Sequence, residues 1–327
     1  MNRRIAIVLF TSSILMTIFF SFCIFSGKTC SQVIRVQGTE QEIEQQLMKL
    51  DEKYLAYADE FLDKDLKKSF RTEHYVVIAD HPKPEAAQAI ALAFEEYRKV
   101  YVSIFEKVFP LRKTEQPTHI ILFASKNGFR FFCAQAGLGG GSNSAGFYIP
   151  GTSIIVSHFR HPRQRDFTAT LLHEGVHQLN DHLLYSRYAK QSIWLNEGLA
   201  NYFALMKLDS QGRLVVGKVD WNSVAVPGYV DEVQRALSGK KHIQLDDLVS
   251  ASREQFHGKD ESLYYGESWL FVQFLLHFED GKYRKPFTEF LMYEIEGLGG
   301  LESFKKTFGD SPNTLKQEFK KYVSRLH

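Results

Sequence analysis

The sequence predicts an α+β domain, and three observations predict it. Short runs rich in β-branched residues alternate with helical patterns between positions 72 and 158, and helical spacing governs almost everything after them. The composition, with 27 Phe and 15 Tyr in 327 residues, supplies material for a sizeable core. Charge is nearly balanced, 40 Lys and Arg against 38 Asp and Glu for a net +2, which argues against a nucleic-acid partner.

The chain opens on Arg3 and Arg4, followed by Ile5–Phe25, a run of 21 residues without a charge. A helix rising about 1.5 Å per residue crosses a bilayer core of about 30 Å in such a length. Residues 1–30 are therefore expected to be an uncleaved membrane anchor or a signal peptide. Either places the remainder outside the cytoplasm. Cys23, Cys30 and Cys133 form no metal or redox motif, and a Cys30–Cys133 disulfide has nothing further to support it.

Residues 31–70 carry mixed charge and a helical stripe of Ile43, Leu47, Leu50, Tyr54 and Tyr57, with Thr39 placed to cap it. This helix is a stalk or a helix packed on the flank of the next domain; the pattern leaves both open. The body, 71–327, starts with "HYVVIAD" as a strand, a long helix opened by Pro84, a second strand "THIILFA", and a helix over 129–136. The glycine run "GLGGGS" lacks the Gly-Lys-Ser/Thr and following helix of a phosphate cradle. "GFYIP" and "TSIIVSH" read as a hairpin around Pro150 and Gly151, and either strand is a candidate edge for an added peptide strand. Helices are expected over 165–184, 194–206, 231–237, 262–278, 286–293, 301–307 and 312–326.

The chemistry concentrates in "TLLHEGVHQLN", Thr170–Asn180, which holds His173, Glu174 and His177 in the spacing H-E-x-x-H. Phe167, Leu171, Leu172, Val176, Leu179 and Leu183 form the inward face of this helix. Residues at i and i+4 stack one turn apart, so both imidazoles can reach one ion, and zinc suits imidazole nitrogen. Glu174 lies about 100° round the helix, where it can stand beside an ion without binding it. The motif alone also occurs by chance, as two surface histidines on an ordinary helix. "SIWLNEGLANYFALM" then adds Glu197, and two histidines with one glutamate make a three-ligand set with a position left for water. Gly175 and Gly198 sit beside these residues in mid-helix, where glycine costs about 1 kcal/mol relative to alanine. Both are expected to mark close backbone approach.

"HEGVHQL" followed by "WLNEGLANYF" resembles the gluzincin group of zinc metallopeptidases, and most of all the peptidase-MA-like exported bacterial families of largely unknown function. The resemblance extends more loosely over 72–326. It implies a zincin-like metallopeptidase fold, a small mixed sheet followed by a mainly helical C-terminal half. It implies zinc held by His173, His177 and Glu197, with Glu174 as the base that serves the water and passes its proton to the leaving amine. Thermolysin-like members carry an aspartate four residues after the third ligand; here Asn201 stands in that place, an acceptor without charge. A donor to the attacked carbonyl oxygen is also implied, for which Tyr265, Tyr264 and Tyr202 are candidates. His158, His161 and His182 flank the motif and are expected to be ordinary hydrogen-bonded or solvated histidines.

The resulting expectation is an exported or membrane-anchored zinc peptidase whose partners are a peptide or protein substrate and, through residues 1–30, the membrane. The rival is a non-catalytic surface-anchored domain that uses zinc for structure or binding, and a third reading has no metal at all.

Overall fold

The computed structural model describes residues 14–19, 33–114, 116–138, 144–160, 164–186, 189–210, 213–223, 225–239 and 241–326. Among them, the N-terminal part contains β1 (Ile14–Phe19) and β2 (Val33–Gly38), paired antiparallel. The expected spanning segment, Ile5–Phe25, is described only over Ile14–Phe19, where "ILMTIF" forms a strand. Its β-branched and aromatic residues favour that conformation once a partner strand is present. No helix among the described residues is long and apolar enough to cross a membrane.

The first helix among the described residues, α1 (Glu40–Phe61), starts where Thr39 caps it: the Thr39 side chain accepts from the Glu42 N–H, and the Glu42 carboxylate accepts from the Thr39 N–H. Of the two placements left open for this helix, the structure has the packed one. Tyr54, Ala58 and Leu62 are buried against Phe129 and Phe132. The main sheet begins earlier than expected, with β3 (Lys67–Arg71) inside the predicted stalk region. Its "KKSFR" shows little alternation because it is an edge strand, half exposed.

The strands β4 (Tyr75–Asp80) and β5 (Thr118–Phe123), with the helix α2 (Ala86–Phe105) between them, follow the predicted order. Next come α3 (Lys126–Gln135), β6 (Gly146–Ile149) and β7 (Ile154–His158). The five-stranded sheet runs β3-β4-β5-β7-β6, parallel at β4/β5 and β5/β7 and antiparallel at both rims. Its interior strands are apolar on both faces because both are covered. Ile120, Leu122, Tyr148 and Ile155 point toward α2, while Ile121, Phe123, Phe147 and Val156 point toward α1 and α3.

The C-terminal half is mainly helical. α4 (Gln164–Leu179) ends in a π-helical turn, Asn180–Leu184, and α5 (Ile193–Ala204) follows. A small hairpin, β8 (Met206–Leu208) with β9 (Leu214–Val219), interrupts the expected run of helices. Then come α6 (Ala225–Ser238), α7 (Leu245–Val249), α8 (Arg253–Phe256), α9 (Glu261–His277), α10 (Arg284–Ile295), α11 (Leu301–Phe308) and α12 (Lys316–Val323). α9 is buried on nearly all sides, with Trp269, Phe271, Val272 and Phe274 fully inside, and it forms the axis of this half. Cys133 is a free, buried thiol, and Cys23 and Cys30 lie outside the described residues.

One contact ties α1 to the sheet through a charge. Asp51 is buried and both its oxygens accept from the Ser153 N–H, at 3.1 and 3.2 Å. Burial pushes its carboxyl up to about 6 from the usual 3.8, against the pull of those hydrogen bonds. The folded protein therefore keeps a proton that the unfolded chain releases, and stability falls as pH rises from about 4 to about 6, then levels off. Asp51→Asn should remove that loss. Its melting temperature relative to wild type is expected to rise between pH 4 and pH 7, by the equivalent of about 2 kcal/mol. An identical pH profile for the two proteins would show that Asp51 does not titrate in this window.

Candidate metal centre

The centre is built on two consecutive helices. α4 lies between the sheet and the helical half: Phe167 and Leu171 join the core shared with α2, while Leu172, Val176, Leu179 and Leu183 join the core of the C-terminal half. Both anchors are polar as well as apolar. Tyr97 donates to the Leu172 carbonyl at 3.1 Å, and Tyr101 donates to Asn180 Oδ1 at 2.7 Å. Asn180 in turn donates to Asn196 Oδ1 at 3.0 Å, which joins the end of α4 to the start of α5.

The glycines do what their positions predict. A Cβ on Gly175 would meet the Phe94 ring at 3.0 Å, and one on Gly198 would meet the Ser268 carbonyl oxygen at 2.8 Å and Val272 Cγ2 at 2.9 Å. α5 therefore lies backbone-close to α9, and this places Glu197 with little freedom.

His173, His177 and Glu197 converge. His173 Nε2 and His177 Nε2 are 3.1 Å apart, and Glu197 Oε2 lies 3.2 Å from the first and 3.5 Å from the second. Three ligands of a tetrahedral ion with bonds of about 2.0–2.1 Å stand about 3.3–3.4 Å from one another, so this triangle has the right size. His173 Nδ1 lies 3.0 Å from Asn201 Oδ1, and with the ring N–H donated to that oxygen Nε2 is the nitrogen that faces the triangle. The donor set and its spacing fit a metal ion, and these three side chains are the ones that would hold it. The ion's identity is a separate matter from the fit.

Electrostatics separates the two glutamates. Burial pushes Glu197 up, but the two histidines, His177 foremost, outweigh it and hold the carboxyl well below its usual range. Burial pushes Glu174 up to about 7, opposed by His173 and by the Tyr148 N–H and reinforced by Glu197. Glu174 stays out of the triangle because its Oε2 accepts from the Tyr148 backbone N–H of β6, at 2.7 Å.

Tyr265, at the start of α9, has its ring centre 6.5 Å from that of His173. The other tyrosines are elsewhere. Tyr202 is hydrogen-bonded to His277 Nε2 at 2.9 Å and stacked on its ring, and Tyr264 packs on Phe256. His158 sits in β7 against Phe129, His182 Nε2 donates to the Thr152 carbonyl at 2.9 Å, and His161 lies outside the described residues. Of the two candidate edge strands, β6 is at the rim and β7 is interior. The Tyr148 amide had no signal in the sequence, because a backbone donor leaves no mark on residue type.

Residues 167–293 match a DUF1570 domain, a protein family of unknown function. That segment holds all three donors, Glu174, Asn201 and Tyr265, and begins at the first core residue of α4. The sheet, α1 and the Tyr148 amide lie outside the DUF1570 segment. The chain matches no curated protein.

The Asn201 bond can be tested directly. Asn201→Ala leaves His173 without its tautomer partner, and metal affinity is expected to fall about 10- to 100-fold, read by competition with a chromogenic chelator. Unchanged affinity would mean that Asn201 does not orient the ring.

Proposed function

We propose that this chain is a zinc-dependent peptidase. The observation that carries the reading is the division of labour among buried and half-buried groups: three donors in a triangle of ligand size, and a fourth side chain, Glu174, alongside and tied to a different partner. A structural zinc site needs no such carboxylate.

Zinc bound by His173, His177 and Glu197 would supply Lewis acidity toward a water and a peptide carbonyl. Glu174 takes the proton of the attacking water and returns it to the leaving amine, so the carboxyl acts first as base and then as acid. Tyr265, its ring centre 6.5 Å from that of His173, is the candidate donor to the carbonyl oxygen as it gains charge. Asn201 keeps the His173 ring oriented. The rim strand β6 turns the Tyr148 N–H away from β7 and toward Glu174, so the same edge faces the site. An extended peptide laid along that edge would bring its backbone past Glu174, which favours a peptide or protein substrate. Arg3, Arg4 and the uncharged run Ile5–Phe25 support an extracytoplasmic place for the enzyme, anchored or secreted.

The test is removal and return of metal. Protein purified without a chelating tag should carry about one zinc per chain and cut an unfolded protein substrate. A chelator should stop the reaction, and added zinc should restore it. One zinc per chain with no cleavage of any unfolded protein or peptide would favour the non-catalytic binding domain. No metal uptake at all would sink both.

A further inference from the structure

We propose that Asp51, on the N-terminal helix α1, is a positioning residue for Glu174, acting through the β6–β7 turn and the Tyr148 amide. This rests on the peptidase reading above.

Glu174 has to stand beside the donors without joining them, and the Tyr148 N–H restrains it from outside its own helix. Tyr148 belongs to the rim strand, which has β7 on one side only. A short rim strand is held in place largely by what grips the turn at its end. Here the turn is gripped from two helices and from β5, whose His119 N–H donates to the Ser153 carbonyl at 2.7 Å. From the π-helical end of α4, Asp181 Oδ2 accepts from the Gly151 N–H at 2.9 Å and from the Tyr148 hydroxyl at 2.7 Å, and His182 donates to the Thr152 carbonyl. Asp181 and His182 belong to the same helical run as Glu174, so they fix the turn relative to α4 alone. Asp51 is the grip from the second helix. It comes from a helix 102 positions away in the chain and packed on the opposite face of the sheet, and both its oxygens take the Ser153 N–H.

Asp51 is buried, and Ser153 supplies it with hydrogen bonds from its backbone and its side chain. An acceptor at position 51, carboxylate or amide, therefore ties the turn to α1. The hairpin is thereby strung between α1 and α4, with the Glu174 contact in its span. The N-terminal helix, outside the DUF1570 segment, becomes part of what sets the base.

The test compares Asp51→Ala and Asp51→Asn in the zinc-loaded full-length protein. Asparagine keeps an acceptor for Ser153; alanine removes it. Hydrogen exchange by mass spectrometry reads the hairpin, 146–153, alongside bound zinc per chain, kcat and KM. Asp51→Ala should speed exchange across the hairpin about tenfold while α5 and α9 stay as in wild type. Zinc content should hold, kcat should fall about tenfold and KM should not change, because a misplaced base slows chemistry rather than binding. Asp51→Asn should recover both exchange and kcat. Wild-type exchange over the hairpin in Asp51→Ala overturns the proposal. So does full kcat despite a loosened hairpin, or faster exchange throughout the sheet that asparagine fails to recover. If the wild-type protein hydrolyses nothing, the peptidase reading falls, and the hairpin exchange alone decides whether Asp51 holds Tyr148 against Glu174.

Discussion

Glu174→Gln should lower kcat about 10²- to 10⁴-fold while the protein keeps its metal and its fold. The substitution is nearly isosteric. The glutamine carbonyl oxygen can still accept the Tyr148 N–H, and residue 174 is not among the three converging donors. What is lost is the ability to take up and return a proton. The measurement is steady-state cleavage of an unfolded protein with zinc per chain determined on the same sample. Turnover at the wild-type rate would remove Glu174 from the chemistry. Loss of zinc together with activity would instead make Glu174 part of the ligand set, against the geometry described above.

Gly198→Ala is expected to have the largest effect on the fold. The new Cβ would lie 2.8 Å from the Ser268 carbonyl oxygen, 2.9 Å from Val272 Cγ2 and 3.1 Å from the Ser268 carbonyl carbon. Two of these are backbone atoms of α9, which no rotamer change can move away. The helices must part, at a cost of about 1–3 kcal/mol for overpacking, reduced by the roughly 1 kcal/mol that alanine gains in helix propensity. Because Glu197 is the adjacent residue, metal affinity should fall with stability. Gly228→Ala on α6 is the matched control: nothing lies within 4 Å of its Cβ, so the propensity gain stands alone and the protein should melt slightly higher. Thermal melts of the two variants with opposite signs would establish the contact. A Gly198→Ala protein as stable as wild type would show that α5 and α9 have room to spare.

Much of the site was legible because side-chain chemistry at fixed helical spacing determines geometry. His173 and His177 at i and i+4, Glu197 on the next helix, and Asn201 one turn beyond it assemble as the spacing requires. The two mid-helix glycines announced close approach because their cost calls for a reason. Interior strands were legible because burial on both faces leaves continuous apolar runs, as in "THIILF". Three features were not. β3 is a charged rim strand without alternation, and β8–β9 is a short hairpin with an irregular register. The placement of α1 depends on Tyr54, Ala58 and Leu62 meeting partners far along the chain, and an amphipathic stripe does not say what it packs on. The tethers of Glu174 were hidden for the same reason: one is a backbone amide, and Asp51 lies 102 positions from the residue it holds.

The three donors occupy one short stretch, from position 173 to position 197 on successive helices, whereas the amide that restrains Glu174 arrives from the sheet. This difference orders events in time. Closing a short loop costs little entropy, and contacts near in sequence form ahead of distant ones. The α4–α5 pair can therefore assemble its ligand triangle early, and an ion that binds the paired helices but not the open chain pulls folding forward by mass action. The rim hairpin pairs locally, but it is seated by β5 and by α1, which lie farther off in the chain. On the proposed reading, a chain refolding from denaturant is accordingly expected to take up its ion before Tyr148 restrains Glu174, which would separate metal uptake from the onset of activity along the folding pathway.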